Sequence, residues 1–355
     1  MLTAQHKLEA ALNLPCPRDT FIKQQVSYKD PGRTGANVLW DFSQLEIQNA
    51  GYELTYSARG DSIIGTEHRT NYIYGFSNNT LRLLGYENTT TQMQYLQPEL
   101  QKAFPVVYND SSLSYFQGKG WYGDRLQVEA MGTIRTHADS YGMMILPNKD
   151  TLNHVLRVKT VKRVVEDTKP VVSSLLKRDS VPEVLTADSI NVRLQTSNWV
   201  METETHQWYA KGYRYPVFET IKNRNLKAGG NSDYFETAFF YPPGEQSYLE
   251  NDEANRTLRS EDDFPTDPWA GLTYNIYPNP VKTSPLNVEI YLPKPANIHV
   301  QLRNTMGTVV LDADKGHYPI GICSFQFETY TIPIGNYILD IWLDEKLINS
   351  VIMKR

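Results

Sequence analysis

The chain of 355 residues is long enough for two domains, each with a core of its own. Apolar residues make up 40% of it and charged residues 21%, as in ordinary globular proteins, and the net charge of -5 without a basic stripe argues against nucleic acid as a partner. No apolar run reaches the roughly 18 to 20 residues that a transmembrane helix needs. Tyrosine is abundant, at 23 residues, and because Tyr favours pleated, half-buried surfaces, the composition predicts an all-β protein.

Residues 1–20 form an N-terminal segment of their own. Leu8 and Leu12 stand at helical spacing and predict two short helical turns, which Pro15 ends. The two cysteines, Cys16 and Cys323, lie near opposite ends of the chain and make neither a disulfide framework nor a metal framework. Two unpaired thiols are favoured over a bridge between them.

Residues 21–241 are predicted to form a large antiparallel β domain of the sandwich or jelly-roll type, because short β-like runs recur between turn clusters. The strongest signal, over residues 127–165, predicts three antiparallel strands. The turn at Pro147–Asp150 separates the last two, since Pro presets φ and Asn tolerates the left-handed region. Within the same domain, Met93–Phe104 is predicted to contain a helical turn and Ile190–Leu194 a strand.

Residues 242–272 are polar and acidic and are predicted to be a linker. Acidic side chains offer oxygen ligands to calcium, but these lack a regular loop spacing, so a solvated run is favoured. Residues 273–355 follow as a C-terminal domain. Clean alternation in segments such as Asn287–Leu292 and Ile298–Leu302 gives about seven short strands, which predicts a small immunoglobulin-like β-sandwich.

Four features of the C-terminal domain occur in the order of a known module: a Tyr-Pro-Asn-Pro opening, a Gly turn, a Gly-Asn-Tyr segment and a basic end. The residues are Tyr277, Pro278, Asn279, Pro280, Gly307, Gly335, Asn336, Tyr337, Lys354 and Arg355. The domain resembles the C-terminal sorting domain of the type IX secretion pathway in Bacteroidetes-type bacteria, with Thr308 after Gly307 where that family usually has Arg.

This resemblance implies an exported protein located outside the cell, at the cell surface or in the periplasm. Its partner through the C-terminal domain would be the secretion machinery or the cell envelope. Segments of the large domain, among them Gly35–Phe42 and Tyr141–Pro147, resemble parts of uncharacterised extracellular proteins that carry such tails.

The large domain carries no recognised catalytic or metal-binding motif. Its histidines are scattered, and no His-Glu-x-x-His, Gly-x-Ser-x-Gly or phosphate-binding loop occurs. We therefore predict no catalytic residue, no metal and no cofactor. Glu202 and Glu204 alternate on one strand face, and a solvated face is favoured there over a catalytic pair.

Aromatic residues provide the best candidate binding surface in the large domain, because flat rings with a polar group suit stacking against a sugar or a peptide. Packing in the core or at a sheet edge is nevertheless favoured over a binding role for these rings. The residues are Trp208, Tyr209, Tyr213, Tyr215, Trp121 and Tyr122. The sequence thus predicts a non-enzymatic binding or scaffolding protein with a glycan or protein ligand. The alternative is a carbohydrate-active or other hydrolase with an unrecognised site in the large domain.

Overall fold

The computed structural model describes residues 6–123, 125–171, 183–227, 233–262, 269, 271–282 and 285–355. The chain groups into two compact units. The first holds most of the chain up to Glu261, and the second holds Asp262–Arg355 with the short segments 36–40 and 142–144. Strands dominate both, so the predicted all-β class is confirmed.

Fifteen strands precede residue 241 in the described chain. They are β1 (Lys7–Leu8), β2 (Thr20–Val26), β3 (Gly35–Asp41), β4 (Ile47–Arg59), β5 (Ser62–Glu67), β6 (Thr70–Ser77), β7 (Thr80–Glu87), β8 (Thr91–Ala103), β9 (Val106–Val107), β10 (Ser111–Tyr122), β11 (Leu126–Ile145), β12 (Thr151–Pro170), β13 (Met201–Ala210), β14 (Phe218–Asn225) and β15 (Asp233–Phe240).

Thirteen of these strands form one sheet that closes on itself. Its order is β10-β8-β7-β6-β5-β4-β2-β15-β14-β13-β12-β11-β3. β10 also pairs with β11, from Ser111↔His137 to Tyr122↔Leu126, so that twelve strands make a barrel-like ring, the closed sheet. At the far end of β11 the backbone amide of Phe42, just after β3, donates to the carbonyl of Ile145 over 2.8 Å. A single closed sheet therefore stands where a pair of packed sheets was predicted.

Two local predictions in this region were wrong. The segment predicted to contain a helical turn is strand β8. Its Pro98 lies at an irregularity of the sheet: pairing of β8 with β10 ends at Gln97, and pairing of β8 with β7 resumes at Glu99. A missing N–H is tolerated at such an irregularity. The predicted strand at Ile190–Leu194 lies instead in a helix, which begins where the Thr186 side chain accepts from the Ser189 amide over 3.2 Å.

Two of the three strands predicted in 127–165 are a single strand, the 20-residue β11, and the turn at Pro147–Asp150 then leads to β12 as expected. Helices are few and short: α1 (Ala10–Asn13), α2 (Ala187–Thr196), α3 (Glu253–Asp262) and 3-10 helices at Pro243–Glu245 and Ser247–Asn251. None in the described chain is long and apolar enough to cross a membrane. The first part of the predicted acidic linker is thus folded.

The C-terminal domain contains seven described strands: β16 (Thr273–Tyr277), β17 (Leu286–Leu292), β18 (Ala296–Asn304), β19 (Val309–Tyr318), β20 (Gly321–Phe327), β21 (Gly335–Leu343) and β22 (Lys346–Lys354). They form a sheet β16-β17-β20 and a sheet β19-β18-β21-β22. Alternate residues of both, such as Val288, Val300 and Ile341, are fully buried in one apolar core. Both cysteines are free, as predicted, with Cys16 exposed and Cys323 buried in this core.

Gly132 lies at a close approach of β11 to β12, because a Cβ added there would lie 1.8 Å from the carbonyl oxygen of Arg163. A methyl group must push the two strands apart. We expect Gly132→Ala to lower the free energy of unfolding by about 2 kcal/mol or more in urea denaturation. Gly244→Ala is the control, since no atom lies within 4 Å of its Cβ position, and it should change stability by less than about 0.5 kcal/mol. Equal effects of the two substitutions would contradict this close approach.

Candidate functional site

The closed sheet contains a cavity of about 520 Å³. Rings of eight strands are just wide enough to be filled by side chains or to hold one small ligand, so twelve strands enclose space that side chains do not fill. The volume lies in the range of small-molecule sites. Its lining is charged as well as aromatic, with six lysine and glutamate side chains: Lys23, Glu67, Glu99, Lys102, Lys162 and Glu219.

Lys23, on β2, is buried, with 6% of its surface exposed. Its ammonium lies 3.2 Å from Glu67 Oε1 and 3.3 Å from Glu219 Oε1, and 4.1 Å from the centroid of the Phe239 ring. Burial alone would lower the pKa of Lys23, but attraction to Glu219 and Glu67 outweighs it and raises the pKa well above the ordinary value. Lys23 is therefore a permanent cation between two carboxylates.

Both carboxylates have further partners that fix their positions. The Tyr52 hydroxyl donates to Glu67 Oε1 over 2.9 Å. The Gln207 amide donates to Glu219 Oε2 over 2.6 Å, and the Tyr209 hydroxyl donates to Gln207 Oε1 over 2.8 Å. A buried polar network with its partners in place is rigid, whereas an incomplete one is costly.

A second lysine of the lining, Lys162 on β12, forms an ion pair with Glu99 on β8, whose side chain is 4% exposed. The Lys162 ammonium also lies 4.8 Å from the centroid of the Phe116 ring. Near one end of the cavity, Arg214 contacts two carboxylates, Asp252 at 2.6 Å and Asp19 at 3.2 Å. Lys23, Lys162 and Arg214 are therefore each paired with at least one carboxylate.

Lys102, on β8, differs from the other lysines of the cavity. In the part of the chain that the structure describes, no carboxylate lies within salt-bridge distance of its ammonium, which is instead 4.8 Å from the centroid of the Tyr209 ring. Burial lowers the pKa of Lys102 to about 8, against a weaker opposing attraction to Glu219. A large fraction of this amine is therefore charged at neutral pH without a counter-ion.

Two tyrosines complete the polar lining. The rings of Tyr56 and Tyr74 flank Gly65, where an added Cβ would lie 2.9 Å from the first ring and 3.2 Å from the second. The hydroxyls of Tyr56 and Tyr74 make no hydrogen bond to other described residues. Burial raises the pKa of both well above the ordinary value, so both remain protonated donors.

The six aromatic residues proposed from the sequence do not make one exposed patch. Trp208 is fully buried, with the ring of Phe42 at 5.4 Å and that of Phe218 at 5.6 Å. Alternation along β13 places it on the face opposite to its neighbour Tyr209, which lines the cavity. Tyr215 is also buried and lines the cavity. These two tyrosines thus reach the enclosed site rather than an outer surface.

The other three aromatic residues lie elsewhere. Tyr213 has the guanidinium of Arg259 5.5 Å from its ring centroid. Trp121 and Tyr122 end β10, where Trp121 is half-buried and Tyr122 is 52% exposed. A binding role for these residues stays a prediction.

Glu202 and Glu204 do not form the solvated face that their alternation suggests. Glu202 is 1% exposed and accepts hydrogen bonds from Arg163 and Arg224 on the two neighbouring strands. Glu204 pairs with Lys159 at 2.7 Å. The pair links β12, β13 and β14 on the face away from the cavity.

Sequence reasoning missed the charged lining of the cavity. One signal was present in β2. Lys23 is two residues after the buried Phe21 and therefore shares its strand face, so a charged residue stands where the strand pattern predicts an inward side chain. Its partners, Glu67 and Glu219, are remote in sequence, and only the strand order brings them to it.

The sorting-type residues of the C-terminal domain gather at one end of its four-stranded sheet, here called the motif end. Asn279 binds the last strand twice: its amide donates to the Val351 carbonyl over 2.7 Å, and its Oδ1 accepts from the Met353 amide over 2.9 Å. The same segment continues into Val281, whose amide donates to the Met353 carbonyl and whose carbonyl accepts from Arg355. The opening motif therefore fixes the C-terminal strand.

The remaining parts of the motif lie at this same end. Register pairs Asn304 with Tyr337 and Tyr337 with Ile352, and Gly335 pairs with Lys354. Gly307 follows Asn304 in the turn to β19 and has a φ of +87°, which favours glycine. Tyr337 is buried and its hydroxyl donates to the Pro333 carbonyl over 2.8 Å.

The matched substitutions Lys23→Met and Lys102→Met test the difference between the two lysines. Lys23→Met leaves Glu67 and Glu219 buried without their cation, so we expect the free energy of unfolding at pH 7 to fall by about 3–5 kcal/mol. Lys102→Met removes an unpaired ammonium and should leave stability unchanged or raise it. Urea denaturation of both variants measures this, and an equal loss in both would contradict the assignment.

The Lys102→Met effect should depend on pH with a defined sign. Because the folded-state pKa, about 8, lies below the ordinary value of 10.5, the wild type gains stability as pH rises through this interval. The difference in unfolding free energy between Lys102→Met and the wild type should therefore favour the variant most at pH 7 and below, and should disappear above pH about 10.5. Unfolding free energies measured from pH 6 to 10.5 test this, and a constant difference across that range would refute it.

No known protein family and no curated protein matches this chain. Among solved structures it is similar to PorZ, described as an essential bacterial surface component of the type-IX secretion system of Porphyromonas gingivalis. The alignment covers 93% of this chain and 60% of the PorZ chain, at 9% identity and a TM-score of 0.18. The chain thus spans about 60% of the length of that structure, and a TM-score this low does not establish a shared fold.

Proposed function

We propose that the protein is a non-enzymatic binding protein with two parts: a closed sheet that holds a small polar ligand in its cavity, and an immunoglobulin-like C-terminal domain for sorting or anchoring at the cell envelope. The observation that supports the first part most strongly is the cavity of about 520 Å³ with its ordered charged lining. Buried charges are costly, so a lining built from them suits a polar guest better than it suits a packed core.

Binding is favoured over hydrolysis by the state of the carboxylates. Glu67, Glu99 and Glu219 line one cavity, which is the observation in favour of the hydrolase alternative. Each of them already forms an ion pair with a lysine, however. A buried histidine with a lowered pKa, His206 at about 4 through burial and the nearby Arg157, does not line the cavity.

The sorting or anchoring part rests on the resemblance of the motif residues and on their convergence at the motif end. Asn279 there binds β22 by two hydrogen bonds, and Gly335 pairs with Lys354. A sequence pattern spread over some 80 residues thus comes together at one end of the domain, which supports a common role for its residues. Exposed side chains near this surface include Tyr277, at 38%, and Met306, at 86%.

A thermal-shift screen of the full chain against a metabolite library tests the binding function. Thr205 lies on the cavity wall, so the larger side chain of Thr205→Phe should occupy part of the cavity and weaken any hit by about tenfold or more. Leu113→Phe is the control, because Leu113 is 48% exposed and outside this cavity. Equal loss in both variants, or turnover of the hit by the wild type, would contradict a binding role for the cavity.

Localisation in a host with the type IX pathway tests the second part. A secreted reporter fused to residues 274–355 should reach the cell surface, and the reporter without this tail should not. Retention of the fused reporter inside the cell would leave the domain without a sorting role.

A further inference from the structure

The charges around the cavity do not balance locally. Lys23 has two carboxylate partners and Lys162 has one, whereas Lys102 has none in the described chain. No carboxylate of the lining is left without a lysine, since Glu67 and Glu219 share Lys23 and Glu99 binds Lys162. The uncompensated charge of the cavity is therefore positive and lies at Lys102.

An unpaired ammonium in this position is costly unless a ligand neutralises it. Among the described residues no carboxylate comes within ion-pair distance of this ammonium, and Glu219 attracts it only from farther away. Its ammonium faces the ring of Tyr209, whose hydroxyl is already used on Gln207. Tyr74 packs against the same apolar cluster as Tyr209, and Tyr56 interacts with Tyr209 electrostatically.

Tyr56 and Tyr74 line the cavity, and their hydroxyls, kept protonated by burial, have no acceptor among the described residues. A carboxylate or phosphate group satisfies one ammonium and two hydroxyl donors, because each oxygen accepts hydrogen bonds and carries charge. A cationic ligand would find no free carboxylate in the lining, because each lining glutamate already forms an ion pair with a lysine.

We propose that the cavity binds a small anion, with its carboxylate or phosphate group on the ammonium of Lys102 and the hydroxyls of Tyr56 and Tyr74. This specifies the ligand class of the binding function proposed above and rests on it. Lys102 is the group that distinguishes anions from neutral or cationic molecules of the same size.

The affinity for such an anion should depend on pH. The other charged groups that line the cavity are Glu219, Lys23, Glu67, Glu99, Lys162 and Arg214, and Asp110 lines a second, smaller cavity together with Lys102. Lys23 and Lys162 each have a carboxylate partner, and Lys102, with a pKa of about 8, loses its proton before Lys23 as pH rises. For a carboxylate anion that is fully ionised at pH 7, affinity should therefore fall steadily above pH about 8.

Calorimetric titration of the full chain tests the proposal with six probes: succinate, inorganic phosphate, glucose 6-phosphate, neutral glucose, neutral glycerol and cationic spermidine. At least one anion should bind, and the anions that do so tell a carboxylate site from a phosphate site. Lys102→Met should weaken that binding about tenfold or more, Tyr74→Phe should weaken it less, and Lys102→Arg should retain part of it. The exposed Lys169→Met should bind as the wild type does.

Three results would overturn the inference. Binding of glucose, glycerol or spermidine in preference to every anion would leave a binding protein with a different ligand class. Anion binding that Lys102→Met leaves unchanged would place the anion outside the cavity. If none of the probes and none of the library compounds binds, the proposed binding function fails together with the anion site.

Discussion

Closure of the sheet between β10 and β11 is the constraint on which the first unit depends. Pairing from Ser111 to Tyr122 removes both free edges of a twelve-stranded ring and divides every strand into inward and outward residues. A ring of this size leaves internal space, and the protein lines that space with ion pairs and tyrosines rather than filling it with aliphatic groups. Lys23 holds three strands together there, because its two carboxylate partners come from β5 and β14.

The C-terminal domain differs from the closed sheet in that its interior is filled with apolar side chains. Its two sheets face each other across a core of Val, Ile and Leu side chains, of which Val288, Val300 and Ile341 are fully buried. Side chains of this kind leave no room for a guest. Its distinctive polar contacts lie instead at the motif end, where Asn279 binds the final strand. The two units therefore suit different kinds of interaction, one internal and one at a surface.

The local sequence pattern predicts much of the fold, but it does not predict that the large sheet closes into a ring. Alternation and tyrosine content predict the all-β class, and Pro147–Asp150 marks a turn that the structure contains. The pairing of β10 with β11 and the order of the other strands depend on long-range contacts that periodicity does not encode. For the same reason the sequence left a binding surface and a core both open for Trp208, which lies in a core, and the partners of Lys23 were not recognised.

The central claim is that one cavity holds a lysine with two carboxylate partners, Lys23, and another, Lys102, with none among the described residues. Lysine-selective NMR titration of the full chain measures it directly, with Lys23→Arg and Lys102→Arg used to assign the two resonances. The account predicts that Lys102 loses its proton near pH 8 and that Lys23 keeps its proton above the ordinary pKa of 10.5. Titration of both lysines together near pH 10.5, as exposed lysines do, would contradict it.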